Sequence, residues 1–339
     1  MTGNVSMVTG ASGFIASHVV QQLLENGDQV HATVRSTKNK KKIGHLLDMQ
    51  ERWPGKLHLF EADLLVAGSF EAPMKGCSVV YHIASPFFIE NKIRDGQKEV
   101  VEPALKGTQH VLDAVDKCES VNLVVLTSSV AAIFGDNADV LGMKNKTLSA
   151  GYFNTTSSVT HNSFPIQKWS LKKRPGNFTI NPGLVLGPSL SPTSESGSLA
   201  LLDQLLRGQL FLGVPDLWFA IADVRDVATA HIRAARNPDS HNRYILADKT
   251  THGFVELARI IRSFTQSFTI PKNTIPNALV RMSGPVLGFS QKWLRVNLGI
   301  SFNIDNRPSV NDLKIVYRPL EETLLDHYRS WKSAQTTSL

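Results

Sequence analysis

Cysteine is scarce. The 339 residues include only Cys77 and Cys118, which excludes a disulfide-stapled scaffold and suits a reducing compartment, so a cytoplasmic location is expected. The two lie 41 positions apart, near different predicted elements, and imply no redox pair. Charged residues make up 19% and hydrophobic ones 42%, and the second figure is too high for a disordered chain. Long apolar runs are absent. The longest, near residues 78–89, is too short and too polar to span a bilayer, and the N-terminus lacks the basic region of a secretory signal. No membrane partner is expected. His18, His31, His82 and His110 fall at no metal-ligand spacing, so no metal is expected either. Four N-x-S/T sequons, at Asn4, Asn145, Asn154 and Asn177, carry no weight without a secretory signal, and the final Thr337-Ser338-Leu339 only faintly echoes a peroxisomal tripeptide.

Acidic charge falls short of basic, 29 residues against 36, for a net +7. Such an excess invites a nucleic-acid reading, but aromatic and basic residues do not interleave. A basic pocket for a phosphorylated cofactor plus a solvated surface accounts for it better, and no nucleic-acid partner is expected.

What is present is alternation. Apolar runs at residues 5–9, 29–35, 57–62, 79–83, 123–127 and 178–181 read as strands, and helical spacing appears at 14–24 and 100–115. This predicts an α/β fold, a Rossmann-type doubly wound parallel sheet, over residues 1–187. A smaller, mainly substrate-capping part is expected over 188–339, with segments near 219–247 returning to the first domain. There, residues 219–223 and 243–246 read as strands, and 199–206, 224–235, 253–264 and 321–331 as helices.

After the first strand comes Thr9-Gly10-Ala11-Ser12-Gly13-Phe14-Ile15-Ala16. Gly10 permits the tight strand-to-helix turn, Gly13 lets backbone approach a pyrophosphate, and Ala16 allows close helix–strand packing. The helix start offers unpaired N–H groups to an anion, with Ser12, Phe14 and Ile15 around it. The second strand ends in Arg35 where an NAD site usually carries an acid. A guanidinium suits a ribose 2′-phosphate, so NADP(H) is the expected cofactor. Lys38, Lys40, Lys41 and Lys42 follow; Lys42 is a cofactor candidate, and most of the run reads as a solvated helix start. Asp63, beside Leu64, is placed to accept from the adenine amino group or to cap a helix.

These residues resemble the extended short-chain dehydrogenase/reductases of the NAD-dependent epimerase/dehydratase superfamily, in the branch of dihydroflavonol reductases, cinnamoyl-CoA reductases and fungal aldehyde reductases. Further motifs agree, in family order: Val80-Tyr81-His82-Ile83-Ala84-Ser85-Pro86, Lys106-Gly107-Thr108, Leu126-Thr127-Ser128-Ser129, Asn181-Pro182-Gly183-Leu184-Val185-Leu186-Gly187-Pro188 and Asp223-Val224-Arg225-Asp226-Val227-Ala228. The resemblance implies NADPH-dependent reduction of an aldehyde or ketone of a small metabolite. It implies that Ser129 orients the carbonyl and that Ala84 and Ser85 line the cofactor path. Pro182, Gly183 and Val185 would meet the nicotinamide carboxamide, and Asp223 and Arg225 would support the domain junction. The bland readings are that Ser128 and Ser129 cap a turn and that Pro182 ends a strand. Phe87, Phe88, Phe134, Trp218 and Phe219 wall an apolar pocket or simply pack the core.

One motif departs. The family's catalytic pair is Tyr-x-x-x-Lys on one helix face. The matching segment is Asn162-Ser163-Phe164-Pro165-Ile166-Gln167-Lys168, so Phe164 stands in place of Tyr, 35 positions after Ser129, while Lys168 is kept. Phe has no ionisable proton. Pro165 excludes Phe164 from a helix that Pro175-Gly176 then ends, about two turns shorter than the family pattern. Three explanations fit: a degenerate site that leaves an inactive NADP(H)-binding sensor or partner-binding protein; a mis-spliced gene model of an active reductase; or another proton donor, such as Ser129, a water or Tyr152. Whether the chain is a monomer or homodimer is not readable.

Overall fold

A computed structural model describes residues 4–85, 102–157, 177–192, 196–237, 243–284 and 290–336. Phe164 and Lys168, with Pro86, Phe87, Phe88 and Pro165, lie outside the described residues.

The first apolar run forms β1 (Val5–Val8), and the glycine-rich turn leads into α1 (Phe14–Glu25). Then come β2 (Gln29–Val34), α2 (Lys40–Arg52), β3 (Leu57–Glu61), the single turn α3 (Glu71–Met74) and β4 (Val79–His82). The lysine run does begin a helix, and Ile43, Leu46 and Met49, spaced by three, bury the stripe that carries α2 on to Arg52. α4 (Glu102–Lys117), β5 (Leu123–Thr127), α5 (Asn137–Leu141) and the two-residue β6 (Thr147–Leu148) precede β7 (Phe178–Pro182) and β8 (Leu184–Leu186).

The later part holds α6 (Gly197–Leu206), β9 (Trp218–Phe219), β10 (Ile221–Asp223), α7 (Val224–Arg236), β11 (Arg243–Leu246), β12 (His252–Gly253) and α8 (Phe254–Thr265). It ends with α9 (Asn277–Ser283), α10 (Gln291–Asn297), β13 (Asn303–Ile304), α11 (Arg307–Asn311) and α12 (Leu320–Thr336). The strand expected at 219–223 is broken at Ala220, whose carbonyl turns away to accept from the Leu184 amide at 2.7 Å. β9 therefore pairs antiparallel with β12, and β10 pairs parallel with β8.

Seven strands form one sheet in the order β11-β7-β5-β4-β1-β2-β3, every pair parallel. Successive residues face opposite sides. Val8, Tyr81 and Val125 pack under α1 and α7, while Met7, Val80 and Val124 pack under α3 and α4. Both faces are covered, which is why these strands read as continuous apolar runs. Full burial of each such side chain contributes roughly 1.5–3 kcal/mol. On the α3–α4 face, the Cys77 and Cys118 thiols sit closer than their spacing suggests. They donate to consecutive α3 carbonyls, Pro73 O at 3.5 Å and Met74 O at 3.4 Å. A second core joins α6, α8 and Leu324 of α12 to Leu186 and Ile221. Among the described residues no helix is long and apolar enough to cross a membrane.

A polar clasp holds α12 to the start of α7. The Asp223 carboxylate accepts from the Arg225 amide (2.8 Å), Arg225 Nε (2.9 Å), Arg225 Nη2 (2.7 Å) and Thr323 Oγ1 (2.8 Å). Arg225 Nη1 then donates to Asp326 at 2.8 Å. Beside it, Asp226 accepts from the amide and guanidinium of Arg318. The Asp223 side chain is 1% exposed, so its charge is tolerable only because every lone pair is met.

Four buried histidines bond to backbone or hydroxyl oxygens: His18 to Pro188 O (2.9 Å), His231 to Val227 O (2.8 Å), His327 to Gly187 O (2.9 Å) and His82 to Thr9 Oγ1 (3.0 Å). Burial lowers each from 6.5 to about 4. Between those values the unfolded chain binds protons at all four and the folded chain does not. Burial also raises Asp226 to about 6, which opposes them over the same window. Of two further histidines, half-buried His45 is lowered and adds to the four, while His252, raised by its bonds to Asp248 and Glu256, opposes them. Stability should therefore fall as pH drops from 6.5 towards 4, at up to about 1.4 kcal/mol per pH unit for each net proton taken up. Denaturant midpoints measured at steps from pH 7 to pH 5 test this; a flat profile would contradict it.

Candidate cofactor and active site

The strand order reverses between β1 and β4, and in such sheets ligands bind beyond the carboxyl ends of the strands at that point. Thr9 ends β1 there. Its Oγ1 accepts from the Ile83 amide at 3.0 Å and the Ala84 amide at 2.9 Å. With both lone pairs used, its one proton goes to His82 Nδ1, 3.0 Å away. Burial lowers His82 to about 4, so it is neutral near pH 7; with Nδ1 accepting from Thr9 its proton sits on Nε2 and points at Thr108 Oγ1 (3.4 Å), which donates to Ala104 O (3.0 Å). One hydroxyl thus fixes the ends of β1 and β4 and, through His82, the first turns of α4. Sequence reasoning noted His82 only as lacking metal-ligand spacing and gave Thr9 no role of its own. The available signal was a hydroxyl closing an apolar strand directly before the glycine turn.

Gly10 has φ +63°, and a Cβ there would lie 2.9 Å from the Ala84 Cβ. Only glycine fits the turn and the close approach together. The Gly10 amide donates to Thr33 Oγ1 (3.3 Å) and the Ala11 amide to Thr33 O (2.9 Å), fixing the turn against β2. Gly13 is the N-cap of α1, with no side-chain cap and no acid in the first turn. Ser12 and Ile15 are half-buried beside it, and Phe14 and Ala16 are buried. A helix start with bare N–H groups, reached over two glycines, fits a dinucleotide pyrophosphate.

At the end of β2, Arg35 is exposed, with no hydrogen bond or ion pair to any described residue. Glu61, ending β3, accepts from the Thr37 amide (2.7 Å) and Thr37 Oγ1 (2.8 Å), and these bonds hold its carboxyl below the ordinary range. The nearest strand-end acid is thus engaged, and Arg35 is free for an anion. Lys42 lies in the first turn of α2, its amide on the Asn39 cap at 3.2 Å. The Asp63 carboxylate has a turn-capping role, accepting from the Leu65 amide at 2.8 Å. Leu64 packs so tightly on α4 that a Cβ at Gly107 would come within 2.9 Å of its own. Its carbonyl accepts from His110 Nδ1 at 2.8 Å. Ser85 is exposed just past Ala84.

Across the crevice, Ser129 follows β5. Its Oγ accepts from the Ala131 amide at 3.1 Å, which is the capping role, and its proton has no acceptor among the described residues. The Ser128 amide donates to Ile180 O at 2.7 Å, continuing the pairing of β5 with β7. Pro182 closes β7, and the Gly183 amide donates to Leu246 O at 3.0 Å. A Cβ on Gly183 would meet Ala220 O, so the chain passes there only as glycine. Val185 is buried in β8 against Ala222. The sheet therefore brings Gly10, Ala84, Ser129 and Pro182 to the carboxyl ends of β1, β4, β5 and β7. Asn181, fully buried, spans to Tyr244 O (3.1 Å) while its Oδ1 has no partner among the described residues.

Other candidates fall elsewhere. Tyr152 Oη accepts from the Lys144 amide at 3.1 Å. Phe134 packs edge-on against Phe302, and Phe219 against Phe254, so both serve as core. Asn154, in one sequon, is buried and donates to Ala131 O and Ser157 Oγ, which denies it to glycosylation in the folded chain.

Gly10→Ala combines positive-φ strain with a clash against Ala84. We expect cofactor affinity to drop at least about tenfold and the thermal midpoint to fall, by about 1 kcal/mol or more in stability. Cofactor titration alongside a melt checks this; unchanged binding would show that the turn is not the pyrophosphate site.

Comparison with known proteins follows this geometry. The model of the NAD dependent epimerase/dehydratase family matches residues 6–247. The chain is 37% identical over 279 residues to cinnamoyl-CoA reductase CAD2 of Medicago truncatula, covering 80% of this chain and 83% of that one. It is 33% identical over 282 residues to an anthocyanidin reductase of Vitis vinifera, covering 78% and 82%. Among solved structures, Gre2 of Candida albicans in complex with NADPH superposes with TM-score 0.75 at 27% identity over 98% of this chain and 99% of that one. Yeast methylglyoxal/isovaleraldehyde reductase Gre2, at 23% identity and TM-score 0.76 over 98% and 99%, shares the fold. The chain belongs to the NAD-dependent epimerase/dehydratase family, in the extended short-chain dehydrogenase/reductase branch that includes the cinnamoyl-CoA, dihydroflavonol and anthocyanidin reductases.

Proposed function

We propose that this chain binds NADPH and is built to reduce an aldehyde or ketone of a small metabolite. The observation that carries the reading is the uncapped start of α1 behind Gly10 and Gly13, with Arg35 free at the end of β2. NADPH, when bound, supplies the hydride. The α1 amides would hold its pyrophosphate and Arg35 its 2′-phosphate, with Ser12, Phe14, Ile15, Lys42, Asp63, Leu64, Ala84, Ser85, Lys168, Pro182, Gly183 and Val185 around it. Ser129, whose proton has no acceptor among the described residues, would donate to the substrate carbonyl oxygen and orient it. Residues 188–339 would mainly cap the substrate. The reductase names of the relatives and the NADPH in the Candida Gre2 complex support this reading, and two free thiols fit a cytoplasmic setting.

Phe164 limits the chemistry. Without the phenol the family's general-acid position holds no proton, a loss of about 10²–10⁴ in rate unless Ser129, a water or Tyr152 donates in its place. It favours a second reading, an inactive NADP(H)-binding protein, and equally a mis-spliced transcript of an active reductase. Sequencing the transcript across residues 160–181 separates the two.

Fluorescence titration should show NADPH binding more tightly than NADH. Arg35→Ala should weaken NADPH by roughly tenfold to a hundredfold through the lost charged hydrogen bonds, leaving NADH unchanged. Equal effects on both would remove Arg35 from the 2′-phosphate. Phe164→Tyr should raise carbonyl-dependent NADPH oxidation by about 10²-fold or more. If that variant binds NADPH yet turns nothing over across a panel of aldehydes, the binding-protein reading stands instead.

A further inference from the structure

The net charge of +7 is not spread over the chain. Residues 257–304 hold six cations, Arg259, Arg262, Lys272, Arg281, Lys292 and Arg295, and not one acid in 48 positions. All but one of the excess charges therefore fall in a single stretch. It begins in α8, runs through α9 and α10, and ends at β13.

The same region carries large apolar side chains standing in solvent. Phe268 is 90% exposed, Leu212 81% and Met282 77%, with Phe211 and Leu279 also exposed. Single exposed apolar residues need no explanation, but these lie on joined segments. Gly208 abuts Thr269 so closely that a Cβ would come within 2.7 Å of the threonine Cβ. Val214 bridges to Thr274, and the Ile275 amide donates to Val214 O at 2.9 Å. Arg259 Nε reaches Lys272 O at 2.8 Å, and Gln291 Nε2 reaches Arg281 O at 2.5 Å. The loop after α6, the turn after α8, α9 and the start of α10 thus adjoin one another. Two half-buried acids adjoin these segments and both are bonded: Asp203 to Arg207 (2.8 Å) and Trp331 Nε1 (2.8 Å), and Asp216 to Trp218 Nε1 (3.0 Å).

We propose that this surface docks the protein peripherally on an anionic phospholipid membrane, with Leu212, Phe268 and Met282 entering the headgroup region. The attachment is to the membrane surface, without a spanning segment. Protruding apolar side chains among Lys and Arg are the combination that binds such surfaces. A protein partner would need cations only opposite its own acids. A lipid surface is negative across its whole plane and disfavours an acid anywhere on the facing patch, and the exposed described residues of the turn after α8, α9 and the start of α10 carry cations and no acid. A second copy of this chain would set like charges against each other.

The test is co-sedimentation of the full chain with phosphatidylcholine vesicles, alone or containing about 30% phosphatidylserine. The expected result is sedimentation with the anionic vesicles only, reversed by salt near ~0.5 M. Arg281→Glu with Lys292→Glu should weaken it about fivefold or more for each charge changed. Leu212→Ser with Phe268→Ser should also weaken it while leaving the thermal midpoint unchanged, because both side chains are solvent-exposed. Indifference to phosphatidylserine, or variants that sediment like the parent, would overturn the proposal. So would a parent chain that ignores vesicles but binds immobilised polyglutamate, which would point to an acidic protein instead.

Discussion

The geometry of the cofactor crevice depends on the hydroxyl of Thr9. From the end of β1 it bonds to three consecutive residues at the end of β4, at the sheet's reversal point. Because it accepts two amides, it must give its proton to His82, and that dictates the tautomer that reaches Thr108. The contact between Gly10 and Ala84 follows from the same anchoring, since β1 and β4 are drawn together just where the chain must leave the sheet. A rigid floor there leaves the α1 amides as the unsatisfied groups, and unsatisfied backbone donors at a helix start are what an anionic cofactor answers.

Electrostatics divides the molecule into two regimes. Around Asp223, Arg225, Asp226 and Arg318, charges are buried and matched almost bond for bond, so they fix α12 against α7. In residues 257–304 they are mostly exposed and unmatched by any acid in the stretch. Matched buried charge specifies geometry, whereas unmatched surface charge acts at a distance and is weakened by salt.

Local features were legible in the sequence. The glycine turn, Arg35 at a strand end and the apolar strands each depend on residues within one turn or one strand, and the spacing of Gly10, Gly13 and Ala16 states the geometry directly. Ser129 was placed by its motif, although its capping bond to Ala131 was equally foreseeable. What could not be read depends on distant partners. Thr9 meets His82 73 residues away, Arg225 meets Asp326 101 residues away, and Cys77 and Cys118 converge only through α3. The interruption at Ala220 escaped for the same reason: a continuous apolar run gives no sign that one carbonyl turns to another strand. The replacement of Tyr by Phe164 was visible at once, because it breaks a pattern otherwise complete.

The pairing of β5 with β7 has a consequence for chain entropy. The strands are joined in register from Val125 and Phe178 to Thr127 and Ile180, and Ser128 extends the ladder. The connection between them, which carries α5 and β6, is anchored at both ends by the sheet. Loop closure depends only weakly on length, and even a doubling costs about 0.6 kcal/mol. The closure entropy of such a connection would therefore hardly change if it were shorter by the two helical turns that the family resemblance implies. Selection on folding alone would be nearly blind to the loss, and a chain could discard its proton donor while keeping every strand that frames the crevice.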